Sequence, residues 1–140
     1  MMAPTRRDVL LLSASATAAA LIPAGAAEAS NGVWQAIDEF TGGALRLEGG
    51  VLLDAPEIFD NGGAVPIRVV AEGARRIALF NDGNPNPGVA EFTFGRLVRP
   101  EATIRIRLAR SQTVYAVAEM EDGTFREASQ KIAVTVGGCG

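Results

Sequence analysis

The stretch TIRIRLARSQTVYAVAEMEDGTFREASQKIAVTV, residues 103–136, governs the fold. Within it Ile104, Ile106 and Leu108 alternate with Arg105 and Arg107, and Ile132, Val134 and Val136 alternate with Ala133 and Thr135. That is the period of strands with one face buried. Asp122-Gly123 falls between two such runs and marks a hairpin, because glycine supplies the positive φ that a tight turn demands. Strands are therefore predicted at Thr103 to Ala109, Thr113 to Met120 and Ser129 to Val136.

The same pattern extends upstream. Val51 to Leu53, Val65 to Val70, Arg76 to Phe80 and Glu91 to Phe94 read as further strands, separated by glycine, proline, asparagine and aspartate clusters. Several short strands at this spacing favour an all-β, antiparallel sandwich. Two loops are rich in turn chemistry, Asp60-Asn61-Gly62-Gly63 and Asn81-Asp82-Gly83-Asn84-Pro85-Asn86-Pro87-Gly88. In the second, two Asn-Pro steps force extended backbone at Asn84 and Asn86, which predicts a stiff, projecting loop. Ahead of the strands, Val33, Trp34, Ile37 and Phe40 recur at helical spacing and Gly42-Gly43 follows as a stop. One short amphipathic helix is predicted, its apolar stripe packed across the open side of a sheet.

The first residues set the compartment. Arg6-Arg7 precede an apolar, alanine-rich run reaching about Ile22, and Ala24-Gly25-Ala26 and Ala27-Glu28-Ala29 offer small-residue cleavage sites. Residues 1–29 read as a twin-arginine signal peptide and the destination as the periplasm. About 110 residues then remain, enough for one domain, residues 30–136, with a modest core. Cleavage removes Arg6, Arg7, Asp8 and Glu28, so the mature chain keeps 11 basic and 14 acidic side chains and a net charge of −3. Neither nucleic acid nor a membrane is an expected partner.

Chemistry has few places to reside. The chain has no histidine, which removes the commonest general base and the commonest metal ligand together. Arg105 and Arg107, with Arg99 and Arg110 nearby, read either as an anion-binding strip or, more simply, as a solvated strand face. Glu119, Glu121 and Asp122 cluster at a turn without the spacing of a metal-binding loop, so no metal and no cofactor are expected.

The single cysteine, Cys139, stands between Gly138 and Gly140 on a tail, residues 137–140, with no bulky neighbour. Free cysteine is usually buried, yet glycines supply nothing to pack around it. Four roles are open: an incidental thiol, a disulfide to another subunit or to a second copy of the chain, a metal ligand completed by another protein, or a covalent attachment point. An oxidising compartment favours the attachment point or the partner disulfide. Gly137, Gly138 and Gly140 permit backbone angles closed to other residues and let the sulfur enter a narrow cleft. No lysine, arginine or histidine lies nearby in sequence to depress the thiol pKa, and a terminal carboxylate at Gly140 opposes ionisation. Activation is left to whatever enzyme receives the arm.

These residues resemble the SoxY sulfur carriers of bacterial thiosulfate oxidation, whose chains end in Gly-Gly-Cys-Gly-Gly. Gly137-Gly138-Cys139-Gly140 matches that tail, and the twin-arginine leader matches as well. So do Asn84-Pro85-Asn86-Pro87-Gly88-Val89-Ala90, Ile104 to Ala109, Ser111-Gln112-Thr113-Val114, Ala116-Val117-Ala118-Glu119-Met120 and Asp122-Gly123. The chain departs from the family in lacking the final glycine and in a shorter stretch between Val70 and Ile77. The resemblance implies an immunoglobulin-like sandwich, a heterodimer with a SoxZ-like subunit, and sulfur intermediates held covalently on Cys139. It implies a carrier, not an enzyme, served by a haem-containing SoxXA-like enzyme that conjugates thiosulfate. A manganese-dependent SoxB-like hydrolase would then release sulfate, and in some organisms a SoxCD-like dehydrogenase would oxidise the remaining sulfur. The alternatives are a secreted interaction module with a permanent disulfide at Cys139, and a SoxY-like carrier serving another periplasmic dehydrogenase. A partner face that includes Thr103 to Ala109 is expected.

Overall fold

The computed structural model describes the backbone of residues 24–135 and the side chains from residue 32 onward. One helix, α1 (Ala24–Thr41), precedes nine strands: β1 (Arg46–Glu48), β2 (Leu52–Asp54), β3 (Ile58–Asp60), β4 (Val65–Val70), β5 (Ala74–Asn81), β6 (Gly88–Thr93), β7 (Glu101–Ile106), β8 (Gln112–Met120) and β9 (Phe125–Thr135). They form two sheets, one ordered β1-β9-β8-β5-β6 with β3 also paired to β9, the other β2-β4-β7. The sheets pack face to face as an immunoglobulin-like sandwich, and the all-β class expected from the strand pattern holds.

The core between the sheets is built from alternate residues. Val65, Ile67 and Val69 of β4 meet Ile77 and Leu79 of β5, Val114, Ala116 and Ala118 of β8, and Ile132 of β9, all buried. The intervening residues of β5 and β8 face the other way, where Ala78, Phe80, Val117 and Phe125 pack beneath Val33 and Ile37 of α1. The larger sheet is thus covered on both faces. That is why Ile77-Ala78-Leu79-Phe80 and Val114 to Ala118 are continuous apolar runs, the mark of strands buried on both sides. The helix stripe packs on the sheet as its spacing predicts. Phe40 stands edge-on to Phe80 and Phe125 at 6.1 and 6.0 Å, and Trp34 to Tyr115 at 5.2 Å. Gly42 and Gly43 at φ 66° and 79° then end the helix, with the Gly43 amide donating to the Asp38 carbonyl at 3.0 Å.

The hairpin at Asp122-Gly123 forms as predicted. Gly123 has φ 83°, its amide donates to the Met120 carbonyl, and the Asp122 carboxylate accepts from the Thr124 amide at 2.9 Å. The short connection between Val70 and Ile77 is a tight turn with Gly73 at φ 81° and the Ala74 amide donating to the Ala71 carbonyl.

Several features differ from the sequence reading. Strand β9 starts at Phe125 rather than Ser129, and β6 at Gly88 rather than Glu91, because pairing with their neighbours continues beyond the apolar alternation. Strands β1 and β3 have no counterpart in the sequence pattern; both are three residues long and both run parallel to β9, whereas the other pairings are antiparallel. Strand β7 ends at Ile106 rather than at Ala109, because the next backbone groups leave the ladder for other partners. The helix begins at Ala24, so its backbone runs through the signal boundary expected at residue 29. The remainder of that signal segment and the tail, with Gly137, Gly138, Cys139 and Gly140, lie outside the described residues.

Two of the clustered acids, Glu119 and Asp122, have structural partners. Glu119 accepts from both Arg75 and Arg76, and Arg76 also reaches Glu91 at 2.9 Å and lies over the Phe40 ring at 4.6 Å. No group of three or more metal-ligating side chains occurs among the described residues. Partial burial pushes the Glu119 carboxyl up, but the two guanidiniums outweigh it and hold Glu119 below the usual carboxylate range. A folded-state pKa lower than the unfolded one contributes stability that is complete above the unfolded value, about 4.3. It is lost as pH falls through the folded value. Glu119→Gln is therefore expected to lower stability at neutral pH by about 1 to 2 kcal/mol. The gap from wild type should close below about pH 4, as read by denaturant titration across pH.

Candidate functional site

The C-terminal end of β9 is where the tail departs, and its last residues are held on both edges. On one side β3 pairs with Ala133 to Thr135, the Asn61 amide donates to the Thr135 carbonyl at 2.9 Å, and the Thr135 hydroxyl contacts the Asp60 carboxylate. On the other side the Ser111 hydroxyl accepts from the Val134 amide at 2.9 Å and lies 3.4 Å from the Val134 carbonyl. The tail therefore leaves from a fixed point. Asn61, at φ 58°, adopts the left-handed conformation that asparagine tolerates, and this turns the chain from β3 toward Gly62.

Gly62 is buried and cannot carry a side chain. A β-carbon there would sit 2.0 Å from the Leu108 carbonyl oxygen and 3.0 Å from Val134 Cγ1. The Leu108 amide donates to the Gly62 carbonyl at 2.7 Å, which is one reason β7 stops at Ile106. The Asp60 to Gly63 loop is thus wedged between the segment after β7 and the end of β9.

The second loop, Asn81 to Gly88, is stiff as predicted but does not project. Asn84 donates from Nδ2 to the Arg107 carbonyl at 2.7 Å, and its Oδ1 accepts from the Ala109 amide at 3.1 Å and from Gln112 Nε2 at 2.9 Å. Buried Gln112 also bonds the Arg110 carbonyl through Nε2 and the Gly83 amide through Oε1, both at 3.0 Å. Buried Asn81 caps the Asn84 amide, and Asp82 accepts from the Thr113 amide at 2.8 Å. These side-chain amides replace the ladder bonds that residues 107–110 would otherwise make in a strand. One end of the sandwich is in this way a welded set of loops around the arm base.

The arginine strip divides. Arg99, before β7, pairs with Glu72 at 2.9 Å and Glu101 at 3.3 Å and belongs to the far end of that strand. Arg105, Arg107 and Arg110 are exposed and have no ion pair among the described residues. Arg105 and Arg107, with Asn84, Asn86 and Ala109, line a groove of about 510 Å³ between the Asn81–Gly88 loop and β7. The sequence marks Asp60, Asn61 and Gly62 only as turn residues and Ser111 and Gln112 only as part of a matching block; their part in tying the loops together has no local signal, since each acts through a partner distant along the chain.

A family model described as sulfur oxidation protein SoxY matches residues 37–139. The chain belongs to the SoxY family. The solved structure of the sulfur carrier protein SoxY from Chlorobium limicola f thiosulfatophilum is 29% identical, with a TM-score of 0.68 over 76% of this chain and 98% of that one. A superoxide reductase (neelaredoxin) from Ignicoccus hospitalis, 24% identical, shares the fold with a TM-score of 0.55 over 62% of this chain and 81% of its own. No curated protein matches the chain. The SoxY match includes both loops, the welded end and the position of Cys139. No helix among the described residues is long and apolar enough to cross a membrane.

Gly62→Ala is expected to destabilise the fold by more than about 2 kcal/mol, because the added carbon meets backbone rather than a movable side chain. Ser111→Ala should cost about 1 kcal/mol and speed amide exchange at Val134 while sparing the β5–β8 core. Thermal denaturation and hydrogen exchange read the two effects separately.

Proposed function

We propose that this SoxY-family chain is a periplasmic, non-enzymatic carrier that holds thiosulfate-derived sulfur covalently on Cys139 and presents it to partner enzymes. The observation that carries the reading is the arm base: β9 is pinned on both edges up to Thr135, and four residues later comes the only cysteine. A thiol on glycines beyond a rigid anchor sweeps a small, defined volume, which suits delivery into a partner's cleft. The related Chlorobium protein is described as a sulfur carrier, and the family match extends to residue 139.

The chemistry divides between carrier and enzymes. Joining thiosulfate to the thiol forms an S–S bond, releases one proton and gives up two electrons, which a SoxXA-like haem enzyme would accept. Water then cleaves the terminal S–S bond, releasing sulfate and leaving a persulfide on Cys139, the step assigned to a SoxB-like hydrolase. A SoxCD-like dehydrogenase would oxidise the remaining sulfur. The carrier supplies none of these activities; it lacks histidine and places no described cation beside the arm base through an ion pair or hydrogen bond. Under this reading residues 1–29 are a twin-arginine signal, residues 30–136 the domain, and residues 137–140 the arm. The helix residues that pack, Val33, Ile37 and Phe40, all survive cleavage. A SoxZ-like subunit is the proposed heterodimer partner.

Cys139→Ser should leave the melting temperature within about 1 °C of wild type, since the arm lies beyond the last paired strand residue. It should abolish thiosulfate turnover in a reconstituted system and remove reducible sulfur, sulfite or thiosulfate adducts from intact-mass spectra of protein from thiosulfate-grown cells. Turnover that survives the substitution rejects the carrier. A single stable cross-link in place of adducts points instead to a permanent disulfide module.

A further inference from the structure

Strand β6 leaves one of its edges unpaired. It closes the larger sheet, bonded to β5 along one side, and no described strand lies on the other. The Phe94 amide donates to the Arg75 carbonyl at 2.9 Å, so Phe94 and, by antiparallel alternation, Phe92 and Ala90 turn their backbone groups toward β5. Glu91 and Thr93 turn theirs outward, and neither has a backbone partner on that side among the described residues. Proteins usually cover or blunt such an edge. In this chain β1 and β3 cover β9, β2 is three residues long, and β7 carries Glu101 and Arg105 with Pro100 ahead of it. Strand β6 has six residues and a single charged side chain.

The open edge runs beside a groove. Glu91 lies opposite Ala78 and Thr93 opposite Arg76, which puts both on the face that α1 covers in part. Between α1 and β6 that face is left as a groove of about 870 Å³, lined by Gln35, Ala36, Glu39 and Phe40 of the helix and by Ala78 and Glu91 of the sheet. A strand added to β6 pairs through its backbone with Glu91 and Thr93 and sends alternate side chains into this groove. The groove carries excess negative charge. Glu39 forms no ion pair among the described residues and only accepts from Gln35 at 3.3 Å, while Arg76, paired with Glu91 at 2.9 Å, is shared with Glu119. A second copy of the chain would bring its own Glu39 and Glu91 to the same rim, so like charges oppose self-pairing. We propose that β6 is a docking edge for an extended segment of a basic partner protein, added as a further strand, with lysine or arginine side chains entering the groove toward Glu39 and Glu91. The site includes no residue of the tail, so this inference stands or falls separately from the carrier reading.

The test measures backbone amide exchange by NMR in the mature chain, from Ser30 onward, with two blocked hexapeptides, TKVKVT and its acidic counterpart TEVEVT. The lysine peptide is expected to slow exchange at Glu91 and Thr93 at least about fivefold at saturation, with β7 unmoved and the glutamate peptide without effect. Thr93→Pro removes an amide that faces away from β5, so it should keep the fold and lose the slowing at Glu91. Glu39→Gln, on an exposed helix position, should weaken binding of the lysine peptide about fivefold, the factor that corresponds to about 1 kcal/mol for a partly exposed ion pair. Unchanged exchange at Glu91 and Thr93 with the lysine peptide overturns the proposal. Equal slowing by both peptides overturns it as well, since charge then selects nothing. Protection of the same amides in the chain alone, rising with concentration alongside a doubled mass in solution, also overturns it and assigns the edge to a second copy.

Discussion

Strand β9 is paired along both edges, and the rest of the molecule is arranged around satisfying it. Its long edge runs against β8 from Phe125 to Ile132. Its other edge is covered at the start by β1 and at the end by β3, two short segments that individually bury little but occupy backbone groups that would otherwise face solvent as an open edge. Because unpaired backbone is costly and an exposed edge invites wrong pairing, two three-residue strands suffice to give the last element a single position. The consequence for the carrier role proposed above is that the chain beyond Thr135 starts from one place.

The welded loops depend on the same constraint. Once β9 is fixed, Ser111 and Gly62 tie the segment after β7 to it, and Asn84 and Gln112 tie the Asn81–Gly88 loop to that segment. The ties are made by side-chain amides, a hydroxyl, backbone groups and the carboxylates of Asp60 and Asp82. Charges are segregated accordingly. The paired arginines stand at the opposite end of β7 and around α1, where they brace the fold, while Arg105, Arg107 and Arg110 form no ion pair among the described residues.

Much of this architecture is legible in the residues alone. Alternation at Ile104 to Ile106 and Ile132 to Val134, the Asp122-Gly123 turn, the Gly42-Gly43 stop and the helix stripe are local signals, and each corresponds to an observed element. The pattern bounds Val65 to Val70 to the residue. The misses have a common cause. Three-residue strands carry no measurable period, and β1 and β3 exist only because β9, far along the chain, offers them an edge. Periodicity carries β7 three residues too far because alternation continues through Arg107 and Leu108 after the ladder has ended. The loop at Asn84 reads as projecting because its stiffness is local while its attachment to Gln112 is not.

The strand periods, the turn chemistry, the absence of histidine and the lone cysteine among glycines are properties of neighbouring residues and of composition, and for that reason the amino-acid order suffices to establish them. At which end of the sandwich β9 finishes, what pins that end, and which arginines form ion pairs among the described residues are settled only by the folded chain. Those are questions of hydrogen bonds and ion pairs between residues such as Ser111 and Val134 or Gly62 and Leu108, 23 and 46 positions apart. No local pattern encodes such a pair; it exists only once the two sheets have closed on a common core.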